Sequence, residues 1–158
     1  GSGPGDVWAV GAGGLVLHHD GKEWSPQTVP LGDRDLLCVG GSGPKDVYAL
    51  GHQGAALRYD GRGWSLLPSE AAAGLTAFNL WVRGPGELYA VGTEGGAPVV
   101  MRYVRPRWLR LPAPTQGSGE APELFAIQGV PGVVGGPDSL LVAGKGGLVL
   151  RYRGAPAR

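Results

Sequence analysis

Short apolar runs closed by Gly, Pro or Asp recur along the whole chain, and two of them travel together as a repeat. Asp6-Val7-Trp8-Ala9-Val10-Gly11 returns as Asp46-Val47-Tyr48-Ala49-Leu50-Gly51, as Glu87-Leu88-Tyr89-Ala90-Val91-Gly92, and more loosely as Ser139-Leu140-Leu141-Val142-Ala143-Gly144. Each copy follows a Gly-Pro, at Gly3-Pro4, Gly43-Pro44, Gly84-Pro85 and Gly136-Pro137. A second block lies downstream of each: Leu15 to His19, Ala55 to Tyr59, Val99 to Tyr103 and Leu148 to Tyr152. Counted on the first block the spacings are 40, 41 and 52 residues. Such a period fits a four-stranded propeller blade or a two-helix repeat. The runs are too short for helices of three turns and are rich in Val, Leu, Tyr and Trp, which suit a pleated, half-buried surface.

The pattern therefore predicts an all-β fold, a β-propeller with about four blades of four-stranded antiparallel sheet. The repeat units are 1–33, 34–75, 76–118 and 119–158. We name the strands of a unit a to d in order. In the second unit they are Leu36 to Gly40, Asp46 to Leu50, Ala55 to Tyr59 and Trp64 to Leu67; in the third, Phe78 to Val82, Glu87 to Val91, Val99 to Tyr103 and Trp108 to Leu111. The first unit has no a strand and the last, with a at Leu124 to Gln128, has no d. Four such blades leave the end sheets unmatched, so the chain is expected to be part of a larger ring or to close by pairing with a second copy. Val7, Leu15, Leu148 and Leu150 are the apolar residues expected to lack a neighbouring blade.

Composition sharpens this. Gly accounts for 31 of 158 residues and Pro for 14, so a helix breaker recurs every few positions. The formal net charge is +1, which gives no case for a nucleic-acid or anionic-membrane partner. No apolar run approaches the ~18 residues a spanning helix needs, so no membrane insertion is expected. The single Cys38 reads as a small buried hydrophobe and leaves the redox compartment open.

The c-to-d turns carry a family resemblance. Asp20-Gly21-Lys22-Glu23-Trp24 and Asp60-Gly61-Arg62-Gly63-Trp64 resemble the aspartate-box hairpin of sialidase-type propellers, one residue shorter than the usual spacing. The Gly-Ser-Gly-Pro-x-Asp-Val-Trp-Ala-Val-Gly frame is similar to tandem repeats in predicted surface and secreted proteins of myxobacteria. The resemblance covers the first two units fully and the last two loosely. It implies a propeller, points toward an extracellular or cell-surface setting, and implies structural turn roles for Asp20, Gly21, Trp24, Asp60, Gly61, Trp64 and the third unit's Trp108.

Catalytic and metal readings find little support. Sialidases of this architecture gather three arginines around the ring axis. Arg58, Arg102 and Arg151 recur at one repeat position, each followed by Tyr, but a catalytic constellation is asymmetric, and a residue repeated in every blade fills one structural role. Those arginines are expected to cover the blade face with their stems and keep their heads wet. His18 and His19 point to opposite faces of a strand and cannot share an ion. No catalytic residue, metal or cofactor is expected. The loops that vary between units are the binding candidates, with Asp33, Arg34, His52, Gln53, Glu94 and Lys145 as contacts. A non-catalytic protein-interaction or scaffolding module, including self-association, fits best. A lectin-like glycan-binding propeller is the alternative, and a sialidase-like glycosidase fragment ranks behind both.

Overall fold

The computed structural model describes residues 1–68, 70–112, 122–130 and 139–153. The variable loop at 113–121, the Gly136-Pro137 turn and the boundary between the third and fourth units lie outside the described residues. Among the described residues fourteen strands form four antiparallel sheets of three, four, four and three strands. The first holds β1 (Val7–Val10), β2 (Val16–His19) and β3 (Trp24–Pro26). The second holds β4 (Leu36–Gly43), β5 (Asp46–Gly51), β6 (Ala56–Tyr59) and β7 (Trp64–Leu66). The third runs β8 (Leu75–Gly84), β9 (Glu87–Glu94), β10 (Ala97–Val104) and β11 (Arg107–Leu111), and the fourth β12 (Leu124–Val130), β13 (Ser139–Gly144) and β14 (Val149–Arg153). Among the described residues helix is confined to single 3-10 turns at Ala12–Gly14, Glu70–Ala72 and Lys145–Gly147.

Each sheet forms because its strands are consecutive and joined by turns that Gly and Asp make easy. In the c-to-d turns Asp60 Oδ1 accepts from the Arg62 and Gly63 amides at 2.9 and 3.1 Å, and Asp20 Oδ1 accepts from Lys22 and Glu23 at 2.8 and 3.0 Å. Gly61 at φ 91° and Gly21 at φ 98° supply the positive φ each turn needs. The a strands β4 and β8 run longer than their apolar cores suggest. Register shifts at Leu36/Cys38, Ala77/Asn79 and Leu124/Ala126 put an irregularity at the same repeat position in all three, bending the strand without ending it.

Residues paired across strands share a face, which fixes how the sheets stack. In the second sheet Val47, Ala49, Leu57, Tyr59 and Trp64 lie on one face, because Ala49 pairs Leu57 and Tyr59 pairs both Val47 and Trp64. That face packs on Trp8, Val10 and Val16 of the first sheet. The opposite face, with Tyr48, Leu50 and Ala56, packs on Leu88, Ala90, Met101, Tyr103 and Trp108 of the third. Tyr89, Val91 and Val100 then meet Leu140, Val142 and Leu150 of the fourth. Each core therefore lies between two successive sheets. Among the described residues no apolar cluster joins the first sheet to the last, and the four sheets form an open arc.

The arc corrects the expectation for the terminal sheets. Leu148 and Leu150 pack into the third core rather than facing outward. Side chains alternate along β13 and β14, so Leu141 and Val149, on the other face of these two strands, are exposed at 40% and 66%. The same repeat position can thus be buried or exposed: Trp64 is 9% exposed and Trp108 6%, whereas Trp24 in the first sheet is 49% exposed. Trp64→Ala should cost ~3–5 kcal/mol of unfolding free energy and Trp24→Ala under ~1.5 kcal/mol. Urea denaturation of the two variants reads this directly, and equal losses would contradict the stacking described.

Candidate functional site

The most regular polar feature is a carboxylate at the start of the b strand in each of the first three sheets, set diagonally across from a base on the c strand. Asp46 is a buried charged residue whose Oδ1 accepts from Arg58 Nε and Nη2 at 3.1 and 3.0 Å and from the Tyr48 hydroxyl at 2.9 Å. Ser42 Oγ donates to its other oxygen at 2.6 Å. In the third sheet Glu87 Oε1 takes Arg102 Nε at 2.9 Å and Nη2 at 2.6 Å, with the Tyr89 hydroxyl at 3.3 Å. Arg83, four residues earlier, takes the place of Ser42 at 2.9 Å from Oε2. In the first sheet Asp6 holds His18 Nε2 at 2.9 Å and the Trp8 indole at 2.9 Å. The fourth keeps Arg151 but offers only Ser139 Oγ, at 3.0 Å from Nη2.

These contacts revise the expectation for the arginines. The Arg58 head is half-buried and paired, because its strand register places Tyr48 opposite it and Asp46 two residues away. The signal was in the sequence as an acid two residues before an aromatic, with a base on the following strand. Burial works to raise the Asp6 carboxyl, but hydrogen bonds from Ser2, His18 and Trp8 outweigh it and hold the group below the usual carboxylate range. Burial pushes the Tyr48 phenol up, so it stays protonated and donates. The Tyr48 oxygen also accepts from the Gly86 amide at 3.0 Å, tying the second sheet to the third. Each base is spent within its own sheet. The network neutralises charge and fixes register. Burial likewise pushes the Cys38 thiol up to about 12, leaving it neutral at physiological pH.

The variable loops gather on the opposite face, where the b-to-c turns meet the d-to-a connections. Gly13 donates its amide to Asp35 Oδ1 at 2.8 Å, and the His52 amide donates to the Asp35 carbonyl at 3.0 Å. Arg34 reaches the Leu31 carbonyl at 3.4 Å and the Gln53 carbonyl at 3.5 Å. His52 Nδ1 lies 3.4 Å from Thr76 Oγ1. Gln53 holds φ 51°, a left-handed conformation filled by Gly13 and Gly146 in the end sheets. The structure thus brings Arg34, His52 and Gln53 together at one junction between sheets, with exposed Asp33 beside them. It separates Glu94, which pairs with Arg110, and Lys145, which pairs with Glu123 at 2.9 Å. Among the described residues no group of three or more His, Cys, Asp or Glu side chains could hold a metal ion.

A cleft of ≈ 340 Å³ lies on the other side, between the first sheet and β4. Asp6 and Trp8 line one wall, and Val39, Gly40, Ser42 and Gly43 the other. Beside it β1 is the edge of its sheet, whereas its counterpart β5 is covered by β4 through Val39↔Ala49 and Gly40↔Tyr48. The Gly11 amide bonds back to Leu15 of the neighbouring turn, so by alternation the N–H and C=O of Trp8 and Val10 point to the open side. Sequence reading found the missing a strand but not the cleft, because the cleft wall comes from another sheet.

Among solved structures the chain is similar to "YCF48 bound to D1 peptide", with a TM-score of 0.60 at 17% sequence identity. The fold is a β-propeller. The match covers 96% of this chain and 50% of the YCF48 chain, so this chain spans about half that length. No family model matches, and no curated protein does.

The four-fold recurrence of the c-strand base gives an internal comparison. Arg58→Met leaves a buried carboxylate with only neutral donors and should cost about 3 kcal/mol, whereas Arg151→Met, facing a serine, should cost under about 1 kcal/mol. Thermal or urea unfolding measures both. Because the folded Asp6 carboxyl is more acidic than its unfolded counterpart, its contribution is present above the unfolded value near pH 4. It disappears as pH falls through the folded value, so Asp6→Asn should be destabilised at pH 7 and match the parent in acid.

Proposed function

We propose that this chain is a non-catalytic protein-interaction module that takes an extended segment of a partner along the open edge of β1. The observation that carries this reading is the edge of Trp8 and Val10, unpaired among the described residues, beside a cleft with a glycine-rich wall. An unpaired edge offers a ladder of donors and acceptors to an added strand, and the cleft beside it receives alternate side chains. The glycines keep that wall low. The arginines and carboxylates that could have served catalysis are engaged with one another inside each sheet, which favours binding over chemistry. The variable-loop residues Arg34, His52, Gln53, Glu94 and Lys145 have partners within the chain, which favours the cleft over that face as the contact surface. The similar propeller YCF48 was solved with a peptide bound, and that supports a peptide-like ligand here.

A synthetic peptide copying β8 (Leu75–Gly84), an a strand of this same repeat, is a suitable probe. It should slow hydrogen exchange at the Trp8 and Val10 amides and at few others. Gly43→Trp should weaken the peptide by at least about tenfold, since a Cβ at Gly43 meets nothing within 4 Å and the indole would fill the cleft without moving the backbone. Peptide binding that leaves both amides unprotected, or that Gly43→Trp does not touch, would place the contact elsewhere.

A further inference from the structure

The c-to-d turns change chemistry along the chain. Asp20-Gly21-Lys22-Glu23 carries two acids and one base, Asp60-Gly61-Arg62-Gly63 one of each, and Val104-Arg105-Pro106-Arg107 two bases and no acid. In the first two turns the Asp carboxylate accepts two amides of its own turn. Val104 has no such group, and the third turn is held from outside: the Arg105 amide donates to the Gly86 carbonyl at 2.9 Å. The Arg105 stem lies across Gly86, where an added Cβ would meet its Cβ at 3.4 Å and its Cδ at 3.9 Å. Arg105 and Arg107 are both exposed, and neither has an ion pair among the described residues.

Beside them stands a donor without an acceptor. Tyr103 is 1% exposed, yet its hydroxyl reaches solvent and has no hydrogen-bond partner among the described residues. Burial pushes the phenol up against the opposing pull of the Arg105 and Arg58 guanidiniums, so it stays protonated and free to donate. The Tyr103 ring packs on Trp108, with centroids 5.1 Å apart. Trp108 in turn lines an open groove of ≈ 680 Å³ between the second and third sheets, together with Pro106, Arg107, Leu66, Leu67 and Ala71. Both of these sheets have a neighbour packed on each face.

The molecule shows twice what an arginine and a tyrosine hydroxyl hold together. Arg58 and Tyr48 share the Asp46 carboxylate, and Arg102 and Tyr89 share that of Glu87. At the third turn the same two kinds of group stand with no carboxylate. We infer that Arg105, Arg107 and the Tyr103 hydroxyl form a carboxylate site for an acidic segment of a protein partner, with an apolar side chain of that segment in the groove beside Trp108. Charge complementarity selects the occupant. Guanidinium forks match a carboxylate, and the buried phenol supplies a further fixed donor. The groove takes an apolar group next to the acid, which a free anion or a polyanionic strand would leave unfilled. This site is separate from the edge of β1 and does not rest on it.

Fluorescence anisotropy with a labelled Asp-Asp-Asp-Leu-Leu peptide tests the inference. The peptide should bind, and its Asn-Asn-Asn-Leu-Leu counterpart should bind at least about tenfold more weakly. Arg105→Gln combined with Arg107→Gln should weaken the acidic peptide by at least about tenfold, and Tyr103→Phe by about fivefold. Tyr59→Phe, at the same repeat position in the second sheet, should leave binding unchanged. Both arginines are exposed and phenylalanine keeps the ring of Tyr103, so the variants should keep the parent's thermal midpoint. Acidic peptide that does not bind at about 1 mM, or that the arginine pair does not affect, would overturn the inference. Equal effects of Tyr103→Phe and Tyr59→Phe would overturn it too. Tighter binding of heparin or of phosphatidylserine vesicles than of the acidic peptide would assign these bases to a polyanion or a membrane, again overturning it. Gly43→Trp should leave the acidic peptide bound, which separates this result from the fate of the β1 edge.

Discussion

The structure depends on one constraint: a twisted four-stranded sheet in this repeat is apolar on both faces and cannot bury either by itself. Every core among the described residues is therefore shared between two successive sheets, one face of each meeting the opposite face of the next. Tyr48, Leu57 and Leu88 reach full burial because they sit where both neighbours are present. Stability in such an array is approximately a sum of blades and nearest-neighbour contacts. It is lower where no sheet among the described residues covers a face, as at Trp24. The graded exposure of Trp24, Trp64 and Trp108, one residue type at one repeat position, records that loss directly.

Within the first three sheets a second device holds register. The b-strand carboxylate and c-strand base sit diagonally, and the aromatic between them lends a hydroxyl or indole N–H to the same oxygen. Burying Asp46 would be costly alone; four donors from Ser42, Tyr48 and Arg58 offset that cost. The arrangement also rejects a one-residue slip, which would move Arg58 to the other face and leave the carboxylate unpaired. Its composition drifts along the chain, from His18 through two arginine pairs to a serine–arginine contact, while its geometry is kept.

These two features separate the surface into regions with different capacities. The face of b-to-c turns is knitted by bonds between neighbouring loops, as between Arg34 and Gln53 or His52 and Thr76. The opposite side holds an edge strand and a cleft: among the described residues no strand lies beyond β1, whereas β5 and β9 are covered by β4 and β8. The polar side chains that looked most available in the sequence are the ones most engaged with one another.

The repeat spacing and its Gly-Pro and Asp-Gly punctuation determined the all-β class, the strand order and the positions of the four b strands, because turn chemistry and strand pairing between neighbours are local. The roles of Asp46 and Arg58 were legible in outline, as an acid-x-aromatic pattern followed by a base, yet their pairing needed the strand register that only cross-strand geometry supplies. The tertiary structure alone decided which alternate residues face outward. Leu150 and Val149 are adjacent and equally apolar in the sequence, and the side from which the third sheet approaches makes the first a core residue and the second a surface one. It also decided the cleft, whose walls come from two different sheets. A pattern of period two says that a strand has two faces; which neighbour covers each is a property of the stack.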